Sequence, residues 1–181
     1  MVESRTRMGQ VNGEQMFAIL GVSWAVIGIV LLLGLAVARL APMAFGAFES
    51  SWMWAHWLAL VGVVGFMAYA EGYHGFQRSF SPRFGARCRY LYDNPSLRRV
   101  LLAPLFCMGF FDATRRRRIT SLALTSMIIA LIVGMQYVPQ PWRGIIDAGV
   151  CVGLIWGLVA TIGYAIMAFT SKDFAHPPEV V

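Results

Sequence analysis

Four long apolar stretches constrain the fold of this chain more than any other feature of its sequence. They cover residues 17–40, 52–70, 119–138 and 145–169. Each is close to the roughly 20 residues that cross the hydrocarbon core of a bilayer. Charged residues make up 13% of the 181 residues, about half their share in an average soluble domain. The sequence therefore predicts an all-α fold, a four-helix transmembrane bundle that forms one integral membrane domain over residues 1–181.

Basic residues are distributed unevenly, and ten of the fifteen lie within residues 71–118. Cytoplasmic loops of membrane proteins hold an excess of Lys and Arg, so this segment is predicted to be an arginine-rich cytoplasmic helical loop. Arg5, Arg7 and Lys172 place both termini on the same side. The expected location is the bacterial cytoplasmic (inner) membrane. The first span is expected to remain uncleaved, because it exceeds the 7–15 residues of a signal-peptide core.

Local signals divide the basic loop into helices. Ser81 followed by Pro82 predicts a helix start, with a capping hydroxyl before a proline at the first helical position. Asn94 is predicted to cap a second element. That element includes the apolar run 101–111, which is too short to cross a bilayer. We expect this run to be an interfacial or re-entrant helix.

Nine arginines of this loop are the candidate residues for binding anionic phospholipid or another anionic partner. They are Arg78, Arg83, Arg87, Arg98, Arg99, Arg115, Arg116, Arg117 and Arg118. An arginine near an anionic leaflet contributes about 1 kcal/mol to membrane attraction. The alternative is that these arginines only fix the orientation of the chain. Nucleic acid is not an expected partner, because no recognised nucleic-acid module accompanies the charge.

Small residues recur at three- or four-residue spacing along the spans, which lets helix backbones approach closely in lipid. The candidate packing positions are Gly149, Gly153 and Gly157 in the last span, Ser126, Ala130 and Gly134 in the third, and Gly21, Ala25 and Gly28 in the first. A six-residue turn at 139–144 joins the third and last spans. It predicts an antiparallel pair with the two small-residue faces opposed. The alternative is that one stripe is a seam to another membrane protein subunit or to a second copy of the chain.

Four polar residues are candidates for a functional role: Asp147, Arg143, Glu71 and His74. Asp147 lies inside the last span, where acids are functional-site candidates by default. Arg143 is four residues earlier, which favours a structural ion pair, with proton or ion handling as the alternative. Glu71 and His74 supply one of the two E-x-x-H motifs that a di-iron bundle takes. A helix-surface polar cluster with Arg78 is the favoured interpretation.

No metal site, no cofactor and no catalytic residue are predicted. The three cysteines (Cys88, Cys107 and Cys151) are isolated in the sequence, so free thiols are expected rather than a disulfide or a zinc site. Metalloprotease, nucleophile-elbow, P-loop and dinucleotide motifs are missing from the sequence. Enzymatic activity is left open, and a non-catalytic role is favoured.

Two segments carry a resemblance to known proteins. The first contains Glu71-Gly72-Tyr73, Gly75-Phe76-Gln77 and Phe80-Ser81-Pro82-Arg83, and the second is Pro-Gln-Pro-Trp-Arg-Gly-Ile-Ile-Asp-Ala-Gly at 139–149. Together they resemble a family of small uncharacterised multi-pass membrane proteins of bacteria, cyanobacteria and plastids. The resemblance covers most of the chain after the first span. It implies a membrane fold and no particular activity.

Three function classes follow from these patterns. The favoured hypothesis is a non-catalytic accessory or assembly subunit that packs against a larger membrane complex and contacts anionic lipid. The first alternative is a small transporter or channel that uses Asp147 and Glu71. The second is an enzyme that acts on an anionic lipid at the cytoplasmic surface, with Glu71 and His74 as acid and base.

Overall fold

The computed structural model describes residues 2–171, 174 and 176–180, with side-chain surroundings from residue 13 onward. We number its helices α1 (Val2–Gly46), α2 (Trp54–Asp93), α3 (Leu97–Leu101), α4 (Ala103–Met108), α5 (Arg115–Met135) and α6 (Trp142–Thr170). The described part contains no strand. Four of the helices, α1, α2, α5 and α6, are long and apolar enough to cross a membrane. The predicted all-α architecture with four long apolar helices is confirmed.

The second helix differs most from its predicted bounds, because it continues past residue 70 to Asp93. Its middle section, Ala68–Phe80, is π-helical and lies between α-helical Trp54–Met67 and Ser81–Asp93. Turns of this type carry i→i+5 hydrogen bonds and are wider than α-helical turns. Residues 71–93 therefore form one continuous rod with the second span, and not separate helices of the predicted helical loop.

Ser81 lies inside this rod, so its predicted role as a helix cap is wrong. Its hydroxyl contacts the hydroxyl of Thr161 on α6, with 3.0 Å between the two oxygens. The Thr161 hydroxyl donates to the carbonyl of Gly157 at 2.7 Å, so the Ser81 hydroxyl is the donor in the pair. A buried partner on another helix replaces the backbone amide that a capping serine would need.

The cap of α3 is Ser96, and the prediction that Asn94 provides it is wrong. The Ser96 hydroxyl accepts a hydrogen bond from the backbone N–H of Arg99 at 3.4 Å. Asn94 instead ends α2, where its backbone N–H donates to the carbonyl of Tyr90 at 2.9 Å. Pro95 separates the two roles, since it has no N–H with which to extend the rod.

Helix α6 occupies the centre of the bundle and packs along both α1 and α2. Its glycine face lies against α2. A Cβ added to Gly149 would lie 2.8 Å from the Val63 side chain, and one added to Gly153 would lie 2.9 Å from the Glu71 carboxylate. A Cβ on Gly157 would enter the ring of Phe76. These three positions are glycine because α2 approaches the α6 backbone there.

Helix α5 stands apart from the other long helices, so its predicted pairing with α6 is wrong. Ser126, Ala130 and Gly134 are all exposed within the described chain. Nothing described lies within 4 Å of the position that a Cβ on Gly134 would take. The reason is that the glycine face of α6 is already covered by α2 along its length.

The apolar run at 101–111 is folded against α1. It forms α4 and the adjoining turns, in which Ala103, Phe106 and Cys107 are buried. The small-residue stripe of α1 receives this segment. A Cβ on Gly28 would lie 2.6 Å from the ring of Pro104. The core of the protein is therefore shared between a long apolar helix and part of the arginine-rich segment.

The bundle has two distinct ends. At one end, the start of α6 meets the start of α2, where the rings of Trp142 and His56 lie edge to face with centroids 5.1 Å apart. At the other end, the last residues of α6 meet the end of α2, where the rings of Phe169 and Tyr92 are 5.7 Å apart. The second end also holds α3, α4 and the start of α5.

Candidate functional site

The arginine-rich end contains one arginine that is almost completely buried. Arg87 is 1% exposed, and its guanidinium contacts four backbone carbonyls. The oxygens belong to Phe106 at 2.6 Å, Phe111 at 3.4 Å, Asp112 at 3.1 Å and Glu179 at 3.0 Å. These contacts join the end of α4, the loop before α5 and the C-terminal tail. Arg87 therefore acts first as a structural centre.

Arg98 and Arg99 also fold this segment. Arg99 donates from Nε to the Asp112 carboxylate at 2.9 Å, and its guanidinium lies over the rings of Tyr90 and Phe106. The guanidinium of Arg98 lies over the Phe111 ring at 5.1 Å from its centroid. A stacked or paired arginine has less freedom to bind another partner.

Two further arginines lie beside Arg87 without a hydrogen-bond partner among the described residues. The Nε atom of Arg83 is buried and makes no hydrogen bond. Arg117, in the first turn of α5, is 9% exposed and lies close enough to Arg83 and Arg87 for mutual repulsion. Its Nε is 3.2 Å from the position that a Cβ on Gly109 would occupy. We call Arg83, Arg87 and Arg117 the arginine cluster.

Gly109 makes room for this cluster. It ends α4 with a φ of 86°, a left-handed conformation that glycine adopts without steric cost. The start of α5 is fixed nearby by the Ser121 hydroxyl, which donates to the carbonyl of Met108 at 3.0 Å. The geometry of the turn therefore determines where the Arg117 side chain lies in the arginine cluster.

The C-terminal tail folds back over the same place. The backbone carbonyl of Glu179 accepts from Arg87 and also from the N–H of Thr114 at 3.3 Å. The Glu179 carboxylate lies close enough to Arg87 and Arg117 to stabilise their charges, without an ion pair within 4 Å among the described residues. The tail thus brings an acid to the edge of the cluster.

The remaining predicted arginines lie on the surface. Arg78, Arg115, Arg116 and Arg118 are exposed, and Arg78 lies over the Tyr73 ring at 5.8 Å. Lys172 and the side chains of Arg5 and Arg7 lie outside the described residues. The nine candidate arginines therefore separate into a group that folds the segment, a buried or half-buried pair with unused donors and an exposed group.

Asp147 is buried in α6, and its nearest described charge is Arg143. Asp147 is 3% exposed, and its Oδ2 atom lies 3.7 Å from the Nε atom of Arg143. At that distance the two groups form an ion pair but not a hydrogen bond. Both atoms lack a hydrogen-bond partner among the described residues. The geometry matches the structural ion pair predicted from the spacing, and it leaves ion handling as an untested alternative.

Glu71 and His74 do not come together as an acid–base pair in the described chain. The Glu71 carboxylate points to Gly153 on α6, whereas His74 is exposed. No described ion pair joins either of them to Arg78, so the expected surface cluster is not formed. The π-helical turns explain this, because they change which residues share a helix face. No group of three His, Cys, Asp or Glu side chains is placed to hold a metal ion in the described chain.

Three residues with clear structural roles were not found from the sequence. Arg89 donates to the carbonyl of Ala168 at 2.8 Å and so caps the end of α6. The ring of His56 accepts from the N–H of Met53 at 3.1 Å and caps the start of α2. Thr161 pairs with Ser81 across the helices. All three partners are distant in sequence or lie at a helix end, and periodicity does not identify them.

Cys88 and Cys107 are buried side by side, with 3.7 Å between their sulfur atoms. That separation is well beyond the roughly 2.05 Å of a disulfide bond.

A scan against protein-family models, a search of curated proteins and a search of solved structures each found no match to this chain. The resemblance drawn from residues 71–83 and 139–149 stays a prediction.

Proposed function

We propose that this protein is a non-catalytic accessory or assembly subunit of a larger complex in the bacterial inner membrane. The observation that carries the proposal is α5, a long apolar helix that the rest of the described chain leaves uncovered. In lipid, a small-residue stripe is useful only when another helix approaches it. The stripe of Ser126, Ala130 and Gly134 has no such neighbour within the described chain.

The partner that fits this surface is a transmembrane helix of another subunit. The stripe is narrow and contains no charged residue, so a second apolar helix with its own small or flat face can approach closely. The Ser121 hydroxyl, bonded to the Met108 carbonyl, holds the start of α5, and the rest of the helix is exposed to a partner. A second copy of this chain is the other outcome that the experiment below distinguishes.

The orientation we propose has the arginine-rich end in the cytoplasm, together with both termini. Its support is the concentration of ten basic residues in residues 71–118. The end of α6 lies at that same end of the bundle. The exposed arginines Arg115, Arg116 and Arg118 would then face anionic headgroups.

The test is native mass spectrometry of the full chain purified in mild detergent. We expect a stoichiometric complex in which α5 is covered. Ala130→Leu or Gly134→Leu should weaken it about tenfold or more, because overpacking a helix contact costs about 1–3 kcal/mol. Thr125→Leu, a comparable enlargement on the other side of α5, is the matched control and should leave the complex intact.

Equal effects of Ala130→Leu and Thr125→Leu would contradict docking through the stripe. A particle that contains only one copy of this chain under every mild condition would contradict the subunit proposal as a whole. A complex of identical copies would assign the stripe to self-association.

A further inference from the structure

We propose that the arginine cluster is a specific site for a phosphate group, either in the headgroup of an anionic phospholipid or as a free phosphate ion. Arg83 and Arg117 hold the group, and Arg87 supplies charge behind them. This inference rests on the lipid contact included in the proposed function, and it names the residues that make that contact. It differs from a diffuse attraction between exposed arginines and a charged surface.

The balance of charge at the arginine cluster favours a bound anion. Arg117 lies close enough to both Arg83 and Arg87 for charge repulsion, and the described acids near Arg87 and Arg117 are Glu179 and Asp112. Asp112 is engaged by Arg99 at 2.9 Å, which leaves one carboxylate for three buried or half-buried cations. Burying a charge without a counterion is unfavourable. An anion of charge −1 or −2 would restore the balance.

The cluster also has hydrogen-bond donors that the described chain does not use. Arg87 uses both terminal nitrogens on backbone carbonyls, so it contributes charge only. Arg83 has a buried Nε without a partner among the described residues. Arg117, more than nine-tenths buried, also donates to no described residue. Planar guanidinium groups with free donors match the oxygens of a phosphate.

The position of the cluster in the fold also favours an anion. Arg117 lies in the first turn of α5, where the helix dipole favours an anion. No side chain caps this end of the helix. The neighbouring exposed residues Arg115 and Arg116 widen the positive field that draws an anion toward the cluster. The dipole and the arginines therefore act in the same direction.

Glu179 makes the site sensitive to the tail. Its carboxylate stabilises the charges of Arg87 and Arg117 and would repel an entering phosphate. Removing its charge while keeping its shape should therefore tighten phosphate binding. A merely structural role of the cluster predicts no such gain.

The experiment titrates the full-length protein in detergent with phosphatidylglycerol, and in a parallel series with inorganic phosphate, counting bound molecules by native mass spectrometry. Arg83→Gln and Arg117→Gln should each weaken binding about tenfold, as expected for loss of a charge-assisted hydrogen bond. Arg116→Gln removes the same charge from an exposed neighbour and should change binding less than about twofold. Glu179→Gln should tighten binding severalfold.

Saturation of one site by phosphatidylglycerol identifies the lipid headgroup as the ligand, and saturation by inorganic phosphate alone identifies the free ion. Equal losses in Arg116→Gln and Arg117→Gln would overturn the specific site. They would leave the lipid contact of the proposed function as a diffuse one. If Arg117→Gln fails to fold, Glu179→Gln decides, because unchanged or weaker binding in that variant also overturns the site. The count of bound lipid or phosphate does not depend on whether α5 forms a complex. The phosphate site and the subunit role can therefore be refuted independently.

Discussion

Helices α5 and α6 are both long and apolar, and both carry small residues four positions apart, yet the fold treats them differently. In the most apolar 18-residue stretch of each helix, 39% of the residues are buried in α6 and 6% in α5. The stripe of α6 meets the side chains of Val63, Met67 and Phe76 on α2. The stripe of α5 meets nothing described. Small-residue spacing therefore indicates that a close helix contact is possible, and it does not identify the partner.

The largest effect that should separate the two helices comes from placing leucine at equivalent glycines. Gly157→Leu forces the new side chain into the Phe76 ring, where even a Cβ does not fit. We expect a loss of about 3 kcal/mol in the free energy of unfolding, at the upper end for overpacking. Gly134→Leu, the matched change on α5, should cost almost nothing in the isolated chain. Denaturation of both variants in detergent measures the difference.

A similar loss in the two leucine variants would mean that α5 is packed in the isolated chain, and the comparison would fail. A loss in Gly134→Leu that appears only in the presence of a purified partner would sharpen it. That result would place the missing neighbour of α5 in another molecule.

A smaller effect is expected at Asp147. Asp147→Asn keeps the shape of the side chain and removes its attraction to Arg143 at 3.7 Å. Because the pair lacks a hydrogen bond and Arg143 retains 30% exposure of its side chain, the cost should be about 1 kcal/mol, between a surface and a buried pair. The measurement is the free energy of unfolding in detergent. An unchanged value would count against the ion-pair role and favour ion handling.

The smallest effect is expected at the hydroxyl pair between α2 and α6. Ser81→Ala removes the donor to Thr161, but Thr161 keeps its own bond to the Gly157 carbonyl. The cost should be about 0.6 kcal/mol, which is typical of hydrogen bonds between membrane helices. Ser126→Ala on α5 is the control and should have no measurable effect on unfolding. A loss above about 2 kcal/mol at Ser81 would mean that Thr161 also loses its partner.

Much of the architecture could be predicted from the sequence because length and hydropathy determine it. The four long helices follow from the spacing of apolar residues, and the small residues of α6 do mark a close contact. Which helix covers that contact could not be predicted, because the 40-residue rod of α2 depends on π-helical turns at 68–80. The Ser81-Pro82 signal predicted a helix start there, and tertiary packing against Thr161 overrode it.

The arginine-rich site could be predicted only as a set of residues. The sequence gives the number of basic side chains, but burial decides what each one does. Arg87 and Arg117 both belong to the arginine-rich segment, yet one is bound to four carbonyls and the other donates to no described residue. The tail that reaches this site begins about 50 residues after Arg117 in the sequence. No local pattern links two segments so far apart.

The central position of α6 has a consequence for biogenesis. Ribosomes make the chain from its first residue, so residues 142–170 emerge after every helix that they hold together. Until then α1 and the first half of α2 make few contacts with each other. The face of α2 that later packs against Gly149 and Gly157 stays open to lipid. Newly inserted chains must therefore wait for their final helix before the interior closes, and a truncation that removes it should leave loose segments for quality-control proteases.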